Sequence, residues 1–245
     1  MNYQNILFDL YGTLADIHTD ESKKELWKSL SVWYQSHGAA YTPWKLQKDY
    51  MQYVAEEKKE AAVRHPEYHT LDIRIETVFE RLYTSQGICV SQDTIAETAL
   101  YFRTLSRKRL RLYPGVRSML AKLRAEGRHC YLLTNAQSVF TVPELRLLGI
   151  SDCFDGCMIS SEQECAKPDP HFFQAAFQQF QLDRQQTVMV GNDLLTDIAG
   201  ADASGIASVY IHSNLSPQRA GAPGSTYVIA DGSIEKLSRL LSGLS

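Results

Sequence analysis

The feature that most constrains the fold is a regular alternation of short apolar runs and amphipathic segments that begins after Tyr113-Pro114-Gly115. The alternation predicts strands at 129–136, 156–161, 187–193 and 207–212, and helices at 115–126, 138–148, 169–180 and 197–205. Short links between such elements are typical of a parallel sheet covered by helices on both faces. A further apolar run at 4–9 stops before a turn and is expected to join that sheet. We therefore predict a doubly wound α/β fold.

Between these two parts, from about Asp16 to Arg109, the pattern is helical throughout. Apolar residues recur at three- and four-residue spacing, which predicts helices at 20–37, 43–63, 70–86 and 91–108. The block is therefore expected to be a helical bundle inserted into the α/β fold. Residues 1–15 and 110–245 would then form the core domain, and residues 16–109 the inserted domain.

Composition and charge argue against several classes of function. The 245 residues carry 25 Lys+Arg against 28 Asp+Glu, a formal net charge of −3, so no basic excess points to nucleic acid. No apolar run reaches the ~18–20 residues of a membrane span. Five cysteines, and a first segment unlike a signal peptide, indicate a reducing compartment. We expect a cytoplasmic protein that acts on a small molecule, without a nucleic-acid or membrane partner; the oligomeric state is left open.

Polar residues cluster just after the predicted strands. In a doubly wound sheet, ligands bind beyond the carboxyl ends of the strands, so these positions are expected to lie together. They combine a carboxylate able to act as nucleophile, a hydroxyl donor, a cation and a possible metal corner, which are the parts that phosphoryl transfer requires. The candidate residues are Asp9, Tyr11, Thr134, Asn135, Lys167, Asn192 and Asp193.

Four motifs at these positions follow one another along the chain: FDLYGTL (8–14), LLTN (132–135), KPDP (167–170) and VGNDLLTDIAGA (190–201). With these motifs in this order, the chain resembles the haloacid dehalogenase (HAD) superfamily, in the branch with a helical cap inserted after the first motif. The resemblance covers nearly the whole chain. It implies a Rossmann-like core, a helical-bundle cap and hydrolase activity.

The resemblance also implies catalytic roles. Asp9 matches the nucleophile of the family, and a carboxylate at this place can attack phosphorus or an activated carbon. Thr134 matches the Ser/Thr that hydrogen-bonds the transferring group. Lys167 matches the cation that holds charge on the nucleophile and on the phosphoryl oxygens.

Other positions are expected to assist. Gly12 and Thr13 fit a tight loop that brings backbone N–H groups to an anion, and Asn135 is expected to help bind phosphate. Asp197 is expected to orient the lysine or its loop. A Mg²⁺ ion is implied as cofactor, because oxygen ligands suit a hard cation. Its expected ligands are Asp9, the backbone carbonyl of Tyr11, Asn192 and Asp193. The sequence leaves open which of the last two coordinates.

Position 11 departs from the phosphatases of this family, which usually carry Asp there as general acid and base. A phenol near pKa 10 is a poor base at pH 7. The 2-haloacid dehalogenases carry Tyr at this position and need no metal, which favours dehalogenation. Their arginine early in the cap is missing here, because the first arginine of the helical block is Arg64, with Lys45 and Lys48 as possible substitutes.

Weighing these features, we expect a Mg²⁺-dependent phosphatase that acts on a small phosphorylated metabolite through an aspartyl-phosphate. One alternative is a metal-free 2-haloacid dehalogenase-like hydrolase that uses Asp9 as nucleophile. The other is a protein that retains the fold and binds a phosphometabolite without turnover. The substrate itself cannot be named from the sequence.

Overall fold

The computed structural model describes residues 3–218 and 224–243. Its strands are β1 (Asn5–Phe8), β2 (Ala15–Thr19), β3 (Arg107–Leu112), β4 (His129–Thr134), β5 (Gly156–Ile159), β6 (Thr187–Gly191), β7 (Ala207–Ile211) and β8 (Tyr227–Ile229). Its helices are α1 (Lys24–Ser36), α2 (Pro43–Arg64), α3 (Ile75–Thr84), α4 (Gln92–Ser106), α5 (Val116–Ala125), α6 (Ser138–Leu148), α7 (Ser160–Gln163), α8 (Pro170–Phe180), α9 (Ala199–Ala203) and α10 (Ile234–Gly243). One turn of π-helix, Leu194–Ile198, comes directly before α9.

Within the described residues, six strands form one parallel sheet in the order β5-β4-β1-β6-β7-β8. β1 lies inside it, with Asn5 opposite His129 of β4 and Thr187 of β6. Its apolar sequence fits a strand that is covered on both faces. The predicted doubly wound α/β fold is confirmed. Because β4, β1 and β6 are neighbours and parallel, the loops that follow them meet at one edge of the sheet.

Alternate residues of β1 contact two separate apolar layers. Ile6 and Phe8 belong to the cluster that includes residues of α5, α6 and α10, whereas Leu7 belongs to the cluster that includes residues of α8. Successive side chains of a strand point to opposite faces, so one short strand contributes to both layers. Close packing on both faces fixes the direction in which the chain leaves β1, and this sets the position of the next residue, Asp9.

Helices α1 to α4, here called the helical insert, pack around an apolar cluster of their own. Aromatic rings dominate it: the ring of Phe102 lies 5.8 Å from Trp27, 5.3 Å from Tyr50 and 5.4 Å from Phe79, measured between centroids. Aromatic pairs at such distances bury large apolar surfaces. The helical pattern of the sequence is therefore reflected in a bundle with a separate core.

An antiparallel ribbon of β2 and β3 lies at the base of the helical insert. The sequence pattern does not predict this ribbon; the helix expected at 91–108 ends at Ser106, and the chain continues as β3. Its two strands are far apart in the chain, so their pairing leaves little local signal. Asp16 of β2 is 2 % exposed and binds Arg109 and Arg111 of β3 at 2.9 and 3.1 Å. The boundaries expected near residues 15 and 110 fall inside this ribbon.

Two further observations concern membrane-spanning helices and the cysteines. Over residues 3–218 and 224–243, none of the helices combines the length and the apolar character needed to cross a membrane. All five cysteines carry free thiols.

Candidate active site

Asp9 lies directly after β1, and its two carboxylate oxygens have different partners. Oδ1 accepts hydrogen bonds from Lys167 Nζ at 2.8 Å and from Thr134 Oγ1 at 3.3 Å. Oδ2 lies 3.2 Å from Thr13 Oγ1. The turn after β1, the last residue of β4 and the segment after α7 supply these partners, so the structure brings together the candidates that the sequence placed at separate strand ends. The carboxylate is thereby held in one orientation.

Lys167 is the cation of the site and is only 1 % exposed. Its Nζ donates to Asp9 Oδ1 at 2.8 Å, to Asp197 Oδ1 at 2.7 Å and to the carbonyl of Leu133 at 2.7 Å. All three ammonium protons are therefore engaged. Burial by itself would lower the pKa of Lys167, but the charges of Asp197 and Asp9 raise it above its ordinary value. The side chain stays positively charged beside the nucleophile.

Asp197 and Asn135 position the loop that carries Lys167. Asp197 is buried, its Oδ1 accepts from the lysine, and its Oδ2 accepts from the backbone N–H of Asp193 at 3.0 Å. Burial raises the pKa of Asp197, and the lysine partly offsets this rise. Asn135 donates to the Lys167 carbonyl at 2.9 Å and accepts from the Lys167 N–H at 2.8 Å. Its amide thus fixes the lysine backbone, while the residue also lines the cleft.

The turn after Asp9 requires a glycine at its tightest point. Gly12 has φ of +92°, and a Cβ built there would lie 2.4 Å from Asn192 Nδ2. This close approach lets Thr13 Oγ1 lie 3.2 Å from Asn192 Oδ1 as well as 3.2 Å from the nucleophile. The first and fourth motifs are therefore in direct contact.

Asn192 and Asp193 follow β6 and differ in exposure. Asn192 is buried against the turn at Gly12, whereas Asp193 is partly exposed and lines the cleft. Asp193 Oδ1 accepts the backbone N–H of Leu195 at 2.8 Å, which caps the π-helical turn. One carboxylate oxygen of Asp193 thus stabilises the π-helical turn, while the side chain still lines the cleft.

The cleft in front of Asp9 has a volume of about 200 Å³. Asp9, Asp193 and Asp197 line it with three carboxylates, and Lys167 with one ammonium, so two negative charges remain unbalanced. No group of three His, Cys, Asp or Glu side chains in the described residues could hold a metal ion by itself. Amide and backbone oxygens would have to complete a site. This oxygen-only donor set with a surplus of negative charge fits Mg²⁺. The four residues that the sequence suggests as ligands, Asp9, Tyr11, Asn192 and Asp193, all line this cleft.

Tyr11 also lines the cleft, but its hydroxyl is engaged elsewhere. It donates to Glu144 Oε2 of α6 at 2.5 Å and lies 3.3 Å from Thr141 Oγ1. Burial, followed by the negative charge of Glu144, raises the pKa of Tyr11 above its usual 10. The phenol is therefore held in its neutral form with its proton on the side of α6.

Glu144 is 1 % exposed, and two arginines balance its charge. Arg103, in the last turn of α4, donates through Nε to Oε1 at 2.8 Å and through Nη2 to Oε2 at 3.2 Å. Arg107 of β3 donates to Oε1 at 3.0 Å. These contacts lower the pKa of Glu144 in spite of its burial. The Arg103 guanidinium also lies 5.9 Å from the centroid of the Tyr11 ring.

Sequence reasoning missed Arg103 and Glu144. The sequence-based expectation was an arginine early in the helical insert, whereas the arginine that lies near the Tyr11 ring and binds Glu144 comes from the end of α4. The two suggested substitutes are used locally: Lys45 pairs with Asp49 at 2.5 Å, and Lys48 lies over the ring of Trp44. No sequence signal links Arg103 to the first motif, because the pairing depends on how α4 packs on α6.

A second contact joins the helical insert to the loop of Lys167. Leu71 forms an antiparallel bridge with Cys165. Asp169 is buried, and its Oδ2 accepts the backbone N–H groups of His69 at 2.5 Å and Thr70 at 3.1 Å. The expected helix at 70–86 therefore begins only at Ile75, since the preceding residues extend along this loop.

Comparison with known proteins identifies the family of the chain. The sequence model of haloacid dehalogenase-like hydrolases matches residues 3–205. The chain is 35 % identical over 101 residues to glyceraldehyde 3-phosphate phosphatase of Pyrococcus abyssi, covering 41 % of this chain and 42 % of that protein. It is 32 % identical over 118 residues to phosphoserine phosphatase of Thermus thermophilus, covering 48 % of this chain and 47 % of that protein. These alignments span less than half the length of either relative.

Solved structures agree at the level of the fold. The 2-haloacid dehalogenase of Pseudomonas syringae pv. Tomato DC3000 has a TM-score of 0.68 to this chain at 21 % identity, covering 99 % of this chain and 100 % of that one. The family match extends over most of the chain and includes all four motifs, so the resemblance stated from the sequence is confirmed. The chain belongs to the haloacid dehalogenase-like hydrolase family.

Proposed function

We propose that the chain is a Mg²⁺-dependent phosphatase that cleaves a small phosphorylated metabolite through an aspartyl-phosphate on Asp9. The main support for this function is the asymmetric environment of the Asp9 carboxylate. Lys167 and Thr134 hold one oxygen, and the cleft beside it has two more negative than positive charges. Such a site needs a cation before it can accept an anionic phosphoryl group, which is the arrangement expected of a metal-assisted phosphatase.

Each residue has a role in this proposal. Asp9 attacks phosphorus, Lys167 and Thr134 orient its carboxylate, and the positive charge of Lys167 stabilises the negative charge that develops on the phosphoryl oxygens. Gly12 and Thr13 shape the turn beside Asp9; their own backbone N–H groups donate to the carbonyls of Ala15 and Leu10, at 2.8 and 3.3 Å, so the expected donation from these two groups to an anion is not seen. When bound, Mg²⁺ would neutralise the carboxylate surplus and polarise the phosphoryl oxygens.

The helical insert is proposed to act as a cap domain, with the substrate enclosed between it and the α/β core. Arg103 at the end of α4 and Arg107 of β3 contact Glu144 of the core, and Leu71 pairs with Cys165 just before Lys167, so this part of the chain contacts the core at two places near the site. The names of the two relatives, which refer to phosphoserine and glyceraldehyde 3-phosphate, support a small phosphorylated substrate.

The test is the release of inorganic phosphate from p-nitrophenyl phosphate, with and without Mg²⁺. Calorimetric titration with Mg²⁺ of the parent protein and of Asp193→Ala identifies the metal ligand. We expect weaker Mg²⁺ binding in the variant, because a hard dication loses a carboxylate oxygen. Unchanged affinity would assign the metal to Asn192 and water, and no Mg²⁺ binding by the parent would contradict the proposed metal dependence.

A second candidate is a metal-free 2-haloacid dehalogenase, which Tyr11 favours because halide leaves without a proton. The lining of the cleft argues against this candidate: a haloacid is an anion, no arginine is among the described residues that line the cleft, and Arg103, which lies near the Tyr11 ring, is engaged by Glu144. Chloride release from 2-chloropropionate without Mg²⁺ separates the two functions. Activity in neither assay would leave a non-catalytic protein that binds a phosphometabolite.

A further inference from the structure

The Tyr11 hydroxyl has one proton, and its direction is fixed. It donates to Glu144 Oε2 at 2.5 Å, and that carboxylate is held in turn by Arg103 and Arg107. A phenol has a single O–H, so donation to the glutamate excludes donation to an oxygen leaving from phosphorus. In this geometry Tyr11 contributes its ring, and no acid, to the cleft.

The remaining protons of the cleft are also committed. The three ammonium protons of Lys167 go to Asp9, Asp197 and the Leu133 carbonyl. Both Asp197 oxygens act as acceptors, and Asp193 Oδ1 accepts the backbone N–H of Leu195. The threonine hydroxyls are too weakly acidic to protonate a leaving group. Among the described residues that line the cleft, no side chain presents an acidic proton to a departing oxygen.

We propose that this site is specialised for phosphoryl compounds whose leaving group departs as a stable anion, with acyl phosphates as the substrate class; this rests on the phosphatase function proposed above. In the first step an Asp9 oxygen forms its bond to phosphorus while the bond from phosphorus to the leaving oxygen breaks. The electron pair stays on that oxygen. A carboxylate, with a pKa of about 4, accepts it without a proton, whereas an alkoxide does not.

The second step has a related consequence. Water attacks phosphorus, the bond from phosphorus to Asp9 breaks, and the proton of the water passes to phosphate or solvent. The position where a carboxylate base would stand is occupied by a phenol that is bound to Glu144. Hydrolysis of the aspartyl-phosphate is therefore expected to be slower than its formation from an activated substrate, and the phosphorylated form should accumulate.

The experiment compares kcat/KM on four probes of rising leaving-group pKa: acetyl phosphate, p-nitrophenyl phosphate, phenyl phosphate and phosphoserine. The full chain with Mg²⁺ is used, together with Tyr11→Phe and Tyr11→Asp. For the parent we expect kcat/KM for acetyl phosphate to exceed kcat/KM for phosphoserine by ~10²–10⁴-fold or more, because a general acid usually contributes a factor of this size. We also expect a stoichiometric burst of p-nitrophenolate.

Tyr11→Phe is the matched control, since it removes only the hydroxyl. Any change in kcat/KM should be the same factor for all four substrates, because the hydroxyl proton takes no part in the reaction. Tyr11→Asp should narrow the ratio between acetyl phosphate and phosphoserine by about tenfold or more and abolish the burst, because it supplies an acid and then a base.

Two outcomes would overturn the assignment while leaving the phosphatase function intact. One is a parent protein that hydrolyses phosphoserine within tenfold of acetyl phosphate. The other is a Tyr11→Phe variant that loses phosphoserine and phenyl phosphate turnover selectively, which would make the hydroxyl a proton donor. These measurements decide the matter even if Tyr11→Asp fails to fold. Absence of phosphate release and of a burst with every probe would remove the phosphatase function and the substrate class together.

Discussion

Replacement of Lys167 by methionine tests the ion pairs at the centre of the site. The lysine is 1 % exposed, and its Nζ lies 2.8 Å from Asp9 and 2.7 Å from Asp197. Removing it leaves two carboxylates without their cation in a buried environment. Loss of one partner from a buried ion pair typically costs ~3–5 kcal/mol. A protein of this kind has about 5–15 kcal/mol of stability in total. We therefore expect Lys167→Met to lower the free energy of unfolding by ~3–5 kcal/mol at pH 7.

The pH dependence of this loss has a definite sign. Burial already raises the pKa of Asp197 above its ordinary 3.8, and removal of the lysine charge raises it further. Between the unfolded and the folded pKa, the folded state then binds a proton that the unfolded chain has released. Stability consequently falls as pH rises through this window. The deficit of Lys167→Met relative to the parent should be smaller at pH 5 than at pH 7.

Urea unfolding followed by circular dichroism at both pH values measures these quantities. Lys236→Met is the control, because Lys236 forms an ion pair with Asp231 at 2.5 Å on the surface, where solvent screens such a pair and its loss should change the free energy of unfolding very little. The double variant Lys167→Met/Asp197→Asn should recover part of the loss, since it removes one uncompensated carboxylate. A loss below ~1 kcal/mol in the single variant, or no recovery in the double variant, would refute this account of the ion pairs.

Three further changes probe the nucleophile, the turn and the contact with the insert. Asp9→Asn should lower phosphate release by more than ~10⁴-fold with an unchanged far-ultraviolet spectrum, because an amide is no nucleophile; activity within tenfold of the parent would exclude Asp9 from the chemistry. Gly12→Ala should lower the free energy of unfolding more than Gly87→Ala does. Both glycines have positive φ, but only a Cβ at Gly12 would lie 2.4 Å from Asn192. Equal losses in the two variants would contradict this close approach. Asp169→Asn should cost ~1–3 kcal/mol and speed amide exchange at His69 and Thr70, because its Oδ2 accepts both N–H groups; unchanged exchange would argue against this contact.

Much of the fold is determined by the sequence alone. The alternation of apolar runs and helical segments is a local property, and it predicted the parallel sheet, its helices and the helical block inserted after β1. The candidate residues at the strand ends could be predicted from the sequence for the same reason. Parallel neighbouring strands must bring their carboxyl ends to one edge, so Thr134 and Lys167 both hydrogen-bond to Asp9, at 3.3 and 2.8 Å.

Only the tertiary structure decided which way the side chains point and what they bind. The sequence shows a tyrosine at position 11 but not that its proton goes to Glu144, which lies on α6 and is 1 % exposed. The ribbon of β2 and β3 and the position of Arg103 depend likewise on segments distant along the chain. Periodicity records which residues are buried, because burial recurs with the helix or strand repeat. Hydrogen-bond direction and ion-pair choice leave no such repeat, because they are set by packing between elements that the chain brings together only when it folds.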